Sequence, residues 1–480
     1  MKNLISSLLL ISILFTAGCA ANTGTGDTSS VDTTPAVTDP PTTDAPEDKL
    51  EMREDQVYAA DTIKDADTVS IAFIGGSLTA SGISFSRLFP GWPQSSNRWV
   101  SDAINYFVVD ENGYKIKDKN AKVINVGIPG TTSDYGAVRF SEQILKVEDF
   151  EPDVIFMEFS CNDLWWGSNN ASLYYENIIR KCLTLDKIPV IIIVHAPYPM
   201  DENDVRYEKY MAGIAEKDAL AAHYGIKTIN VYDYLRRQHL ADDTSLDFMS
   251  YIGCGEGGKG YFYVDETAEA FEYDVHPGSD GYALYSAALF EAIEEDYDGV
   301  FSKIKFADIY NTHNADFVES SFEYTKADDE RIKYEGDWVL YKGDKVFECE
   351  DKNADMDSGF YQSSDVYYEF FAFPDGVMQT FKPSGASFTF DTSAAAVAFP
   401  HVSAIAGSSA TAYLVNEDGS NGEELGRISV GSSFDGMNYL TSWIYLPDDG
   451  QEHTVRIVVD DADETSYVFR FGYLIERFNK

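Results

Sequence analysis

Thr68-Val-Ser-Ile-Ala-Phe-Ile-Gly-Gly-Ser-Leu-Thr-Ala-Ser81 is the stretch that decides how this chain folds. A short apolar run rich in β-branched residues stops abruptly at Gly75-Gly76. Such a run reads as a buried strand, and the glycine pair allows a tight turn directly after it. Ser77 then stands at the carboxyl end of a central strand, where open α/β sheets bind their ligands. Two readings fit the serine. One is a strand-to-helix turn with an N-cap hydroxyl. The other is a nucleophile, which needs a base to take its proton and donors to hold an oxyanion.

Three later blocks carry groups of those kinds, in order. Asn125-Val-Gly-Ile-Pro-Gly-Thr-Thr-Ser133 follows a second short strand over 121–126. Asp153-Val-Ile-Phe-Met-Glu-Phe-Ser-Cys-Asn-Asp163 reads as a third strand ending in an Asn-Asp pair. Glu272-Tyr-Asp-Val-His-Pro-Gly-Ser-Asp-Gly281 sets His276 just before a closing helix. Two further strands are predicted at 188–194 and 226–231, with amphipathic helices at 173–186, 205–223 and 280–296. Alternating strands and helices argue for a parallel sheet covered on both faces.

The four blocks together resemble the SGNH hydrolases, also called GDSL-type lipases and esterases, over about 65–298. The resemblance implies a three-layer α/β/α, flavodoxin-like domain with a parallel central sheet. Matched residue by residue, Ser77 takes the nucleophile position and His276 that of the base. The oxyanion hole would be Ser77, Gly130 and Asn162. No cofactor is implied. Three departures from the family pattern stand out. Gly76 replaces an aspartate, Ser160-Cys161 replaces Gly-x, and Tyr273 stands where an acid usually lies three residues before the histidine. Asp274 is the substitute third member of the catalytic set. Some two-domain acetyl esterases of the superfamily carry a similar Asp-x-His-Pro, in which a backbone carbonyl can orient the imidazole. The physical need is only an acceptor for the Nδ1 proton.

The first residues, Met-Lys-Asn and an apolar stretch from Leu4 to Phe15, describe a secretory signal over 1–18. Ala17-Gly18-Cys19 resembles a bacterial lipobox, which implies cleavage before Cys19 and lipid attachment there. The expectation is an exported protein, anchored by lipid to the outer face of a bacterial membrane. Residues 19–50 are rich in Thr, Asp, Pro and Ser and are read as a disordered tether. What remains is long enough for two cores. These are set at 51–305 for the hydrolase domain and 306–480 for a second domain. In the second, short alternating strands at 386–391, 395–399, 409–415 and 453–459 suggest a β-sandwich resembling a jelly roll.

With 36 basic and 80 acidic residues, the formal net charge is −44, which argues against nucleic acid as a partner. The five cysteines show no framework spacing, though a Cys161–Cys182 bridge fits an exported protein. No metal site is read from the seven scattered histidines. His195 reads as a loop or rim residue, and 249–271 as a mobile loop or lid. Trp165 and Trp166 follow the Asn-Asp pair and either stack on a sugar ring or pack under the loop. The leading function is hydrolysis of small acyl esters, O-acetyl above all, on a carbohydrate through an acyl-enzyme. A lysophospholipase or lipase, an O-acetyltransferase, and a degenerate glycan-binding protein are the alternatives. The expected partner is an acylated small molecule or polysaccharide, with membrane contact only through the anchor.

Overall fold

The computed structural model describes residues 50–63, 65–79, 120–128, 131–166, 170–200, 202–253, 258–264, 273–277, 279–295, 302–336, 338–341, 361–362, 376–379, 386–399, 409–429, 443–447, 449–459, 470–471 and 473–479. Cys19, the tether, Gly130, Cys254, Glu272, Cys349 and His401 lie outside the described residues. So do the side chains of Trp165, Trp166 and Asp274.

The opening stretch is a strand, β1 (Thr68–Gly75), buried along nearly its whole length. It pairs in parallel with β2 (Asn120–Asn125) on one side and with β3 (Val154–Glu158) on the other. Next come β4 (Val190–His195) and β5 (Lys227–Asn230), giving the parallel order β2-β1-β3-β4-β5. In this order the chain reverses direction across the sheet beside β1, so the carboxyl ends of β1 and β3 flank the crevice where such sheets bind ligands.

Side-chain alternation divides the core between the two faces. Ile71 and Phe73 of β1 join Phe156, Ile192 and Val194 in one cluster. Ala72 and Ile74 join Ile155, Met157, Ile191 and Ile193 in the other. This is the period-2 rule applied to strands buried on both sides. The Phe73 and Phe156 rings, opposite each other in the register, stack at 4.9 Å.

Among the described residues, six helices of seven residues or more cover the sheet: α1 (Ser133–Phe140), α2 (Ser160–Trp166), α3 (Ala171–Leu183), α4 (Tyr207–Tyr224), α5 (Val231–Asp242) and α6 (Ser279–Glu295). Helix α4 ends at Gly225, whose φ of 68° suits glycine, and Ile226 N–H closes back on Ala221 O at 2.8 Å. Asn230 caps α5 by accepting from Asp233 N–H at 3.0 Å.

The third strand is shorter than expected. It ends at Glu158, and Ser160–Trp166 is helical, so Asn162 and Asp163 lie on α2 rather than on a strand end. Period-2 patterning cannot distinguish a buried strand from a buried helix turn that follows it without a glycine or proline break. Cys161 and Cys182 are both buried and both free, so the bridge entertained between them is not formed. Their thiols sit in separate clusters on opposite faces of the sheet. Part of the segment expected to be a mobile loop is ordered: Phe248–Ile252 is a helix, and β6 (Phe262–Val264) pairs with β7 (Tyr273–Pro277) as an antiparallel hairpin.

Beyond 320 the described strands are antiparallel except Tyr361–Gln362, which pairs in parallel with β2 at the edge of the first sheet. One sheet joins β8 (Ser321–Lys326), β11 (Ala396–Ala398), β14 (Ile444–Tyr445) and β16 (Tyr473–Phe478) in the order β8-β16-β11-β14. The other joins β9 (Lys333–Glu335), β10 (Ser387–Thr392), β12 (Ser409–Val415), β13 (Asn421–Ser429) and β15 (His453–Val459) in the order β9-β10-β15-β12-β13. Val455, Ile457 and Val459 alternate inward from β15 and meet Val397 and Leu474 of the first sheet in one core. Two sheets closing on a shared apolar layer make a β-sandwich.

Helix α3 fastens the two parts together. Asn177 donates to the carbonyls of Phe317, Val318 and Ser320 at 3.1, 2.8 and 3.2 Å. Arg180 pairs with Glu319 at 2.7 Å, and Lys181 lies 4.4 Å over the Phe322 ring. The buried Glu176 carboxylate accepts from the N–H groups of Tyr310 and Asn311. Asn177→Ala removes the donor that reaches Val318 O and Ser320 O, while Phe317 O keeps its bonds from Ser320, at a cost of about 1–3 kcal/mol. Calorimetry should show a lower melting temperature for this variant; an unchanged one would contradict the fastening role.

Candidate active site

The turn after β1 is held by backbone contacts. Gly76 N–H donates to Glu158 O at 3.1 Å, and Thr79 N–H donates to Gly76 O at 3.1 Å. Neither Gly75 nor Gly76 has a left-handed φ. Glycine is required there by crowding instead. A Cβ on Gly75 would lie 2.2 Å from Thr79 Oγ1 and 2.5 Å from Glu158 O. A Cβ on Gly76 would lie 2.6 Å from Asn162 Nδ2. The family aspartate at this position therefore has no room in this chain while Asn162 stays where it is.

Ser77, only 8% exposed, faces the histidine predicted for it. His276 Nε2 is 2.7 Å from Ser77 Oγ, across 199 residues of sequence. The hairpin of β6 and β7 carries His276 to this point, with α6 starting two residues after Pro277. Asn162 comes from helix α2, which follows the adjacent strand β3. Its Nδ2 donates to Thr131 O at 2.8 Å and carries a second proton that Thr131 does not use. Thr131 is the residue after Gly130, which is itself outside the described residues, as is the Asp274 side chain. Trp165 and Trp166 lie in the last turn of α2.

Beneath these groups lies a buried polar layer that sequence patterning did not reveal. Arg139, fully buried, donates to Val126 O, to Gly75 O at 3.1 Å and to Gln143 at 2.6 Å, tying the ends of β1 and β2 to α1. Asn125 Nδ2 donates to Thr79 O at 2.7 Å. Asp163 accepts from Ser133 N–H at 2.8 Å and pairs with Lys217 Nζ at 2.9 Å. Glu158, also buried, accepts from the Thr79 hydroxyl at 3.1 Å. Burial pushes its carboxyl up to about 8, against the Thr79 hydrogen bond that favours the charged form.

His195 is not a rim residue. It is the last residue of β4 and fully buried. Its Nδ1 is 3.0 Å from Ser160 Oγ and its Nε2 is 3.0 Å from Asp218 Oδ1. The Asp218 carboxylate can only accept, so Nε2 carries the proton and Nδ1 accepts from the Ser160 hydroxyl. Burial holds the imidazole below its usual pKa, although Asp218 opposes this. Serine, histidine and aspartate thus meet here, but both imidazole nitrogens are engaged, and Ser160 and His195 are buried while the Asp218 carboxylate reaches the surface. The group braces β4, α2 and α4. The following Ala-Pro-Tyr-Pro suggested a surface turn; the signal that pointed inward was the uninterrupted apolar run before His195.

The raised Glu158 carboxyl predicts a pH dependence. The unfolded chain releases this proton near the ordinary glutamate value, about 4.3, while the native protein keeps it to about 8. Native stability from this group is fully present below the lower value and is lost as pH rises through the upper one. Glu158→Gln keeps a neutral partner for Thr79. Its melting temperature should fall less between about pH 5 and 8 than that of the parent protein. Parallel curves for the two proteins would contradict a protonated Glu158.

A sequence profile described as the GDSL-like lipase/acylhydrolase family matches residues 73–284. No curated protein matches the sequence. Among solved structures, a two-domain esterase (CEX) active on acetylated mannans, co-crystallised with mannopentaose, superposes with a TM-score of 0.57 at 18% identity. The match covers 88% of this chain and 93% of that one. A second structure of that esterase gives a TM-score of 0.54 at 17% identity, covering 88% and 94%. At such identities the likeness establishes a shared two-domain fold. Residues 73–284 thus carry a GDSL-like lipase/acylhydrolase domain, the domain of a carboxylic ester hydrolase.

Proposed function

We propose that this hydrolase removes small acyl groups, O-acetyl above all, from a carbohydrate, through an acyl-enzyme on Ser77. The observation that carries the mechanism is the 2.7 Å approach of His276 Nε2 to Ser77 Oγ. At that distance the imidazole takes the hydroxyl proton as the oxygen attacks the ester carbonyl. The Ser77 and Gly130 N–H groups and the Asn162 amide hold the developing oxyanion, each such donor contributing about 3 kcal/mol in the transition state. His276 then protonates the leaving sugar hydroxyl. Water, deprotonated by the same imidazole, releases acetate and restores Ser77.

The substrate class rests on likeness and sequence. The two-domain esterase whose fold spans 88% of this chain is active on acetylated mannans, and Trp165-Trp166 follow Asn162 closely enough to offer a stacking surface for a sugar. The acceptor for His276 Nδ1 is assigned to Asp274, by its carboxylate or its backbone carbonyl. The lipobox at Ala17-Gly18-Cys19 supports a lipid-anchored enzyme outside the cell.

Three measurements test this reading. Ser77→Ala should abolish turnover of p-nitrophenyl acetate without changing the melting temperature, since one oxygen is lost and no large cavity opens. Turnover equal to the parent's would place the nucleophile elsewhere. With p-nitrophenyl esters of increasing acyl length, kcat/KM should fall steeply beyond acetyl; a rise toward long chains would favour a lipase. Asp274→Asn should lower kcat by about 10⁴ if the carboxylate orients the imidazole, and only slightly if the carbonyl does.

A further inference from the structure

We infer that Lys217 is a positioning residue for the oxyanion amide: through Asp163 it fixes helix α2, and with it Asn162. The inference rests on the proposed oxyanion role of Asn162. Asn162 and Asp163 are neighbours on α2, and each bonds to the segment entering α1. Asn162 donates to Thr131 O at 2.8 Å, and Asp163 accepts from Ser133 N–H at 2.8 Å. The two rungs keep the amide beside Gly76. Only the second involves a charge. The Asp163 carboxylate is almost wholly buried and is matched by Lys217 Nζ at 2.9 Å, which is buried too.

Packing alone does not hold α2 on the side facing α4. A cavity of about 170 Å³ lies there, lined by Ser160, Asp163 and Leu164 of α2 and by Lys209, Gly213 and Lys217 of α4. A cavity is space into which a helix can shift, because no atoms resist it there. Three polar ties cross the region instead. Lys217 holds Asp163. Lys209 Nζ donates to Leu164 O at 3.2 Å. Asp218, the residue after Lys217, holds Ser160 through His195. Asn162 therefore sits between two residues of α2 that adjacent residues of α4 restrain.

Of the three ties, the ion pair is the one whose loss leaves a buried charge unmatched. Without the ammonium, the carboxylate must gain water, rotate or take up a proton. Each response moves Asp163 relative to Ser133, and the cavity lets α2 follow. An oxyanion donor is effective only within a few tenths of an ångström of its required position, and a displacement of about 1 Å can cost on the order of 100-fold in rate.

The test is a double-mutant cycle read as kcat and KM on p-nitrophenyl acetate, with Asn162→Ala, Lys217→Met and both together. Asn162→Ala should lower kcat by about 100-fold or more. Lys217→Met should lower kcat by roughly 10- to 100-fold with little change in KM. On the Asn162→Ala background, Lys217→Met should cost almost nothing further, because the group it positions is gone. Multiplicative losses, or a Lys217→Met protein as active as the parent, would overturn the inference. An undiminished Asn162→Ala protein would instead remove the oxyanion reading beneath it, and the inference with it. Should Lys217→Met unfold, Asp163→Asn/Lys217→Met, which buries no unmatched charge, enters the cycle in its place under the same criteria.

Discussion

The close approach of the β1 turn to the end of β3 is the constraint on which the site depends. Gly76 N–H bonds to Glu158 O at 3.1 Å, and the Cβ positions of Gly75 and Gly76 are already occupied by Thr79, Glu158 O and Asn162. Only glycine lets two neighbouring strand ends come this near. The contact sets Ser77 at the crevice mouth with its hydroxyl toward His276, and it draws the α2 amide alongside. A side chain at Gly76 would press on the Asn162 amide, and one at Gly75 on Thr79 and the Glu158 carbonyl that ends β3.

Much of this was legible in the sequence, for a physical reason. Buried parallel strands are short apolar runs, and the turns that follow them are written in glycine and serine. β1 and its glycine turn, β2, β4, β5 and helices α3, α4 and α6 could all be located that way, as could the inward alternation of β15 in the sandwich. The pairing of Ser77 with His276 came from motif order rather than from periodicity. What escaped the sequence is what lies beneath. Nothing local marks Glu158, Arg139 or Lys217 as buried, because their partners come from elsewhere in the chain. The helix at Ser160–Trp166 was hidden by an apolar run passing from strand to helix without a break. His195 was misjudged because a proline-rich segment follows it, although its own position is the end of the most apolar strand.

The structure also holds two serine–histidine pairs. Ser77 and His276 meet at the crevice, with His276 partly exposed. Ser160 and the buried His195 meet beneath, with Asp218 reaching the surface; both imidazole nitrogens are committed there and burial disfavours the charged ring. Residue identity and hydrogen-bond distance are shared by the two pairs. Access, and the Asn162 amide beside the turn that carries Ser77, distinguish the pair proposed as reactive.

The central claim is that Ser77 is the nucleophile and His276 the group that activates it. Mass mapping after treatment with a serine-reactive fluorophosphonate tests this most directly. The account predicts one adduct, on the peptide containing Ser77, appearing in step with loss of esterase activity and almost absent from His276→Ala. An adduct on Ser160 or any other serine at equal activity loss, or undiminished labelling of His276→Ala, would contradict it.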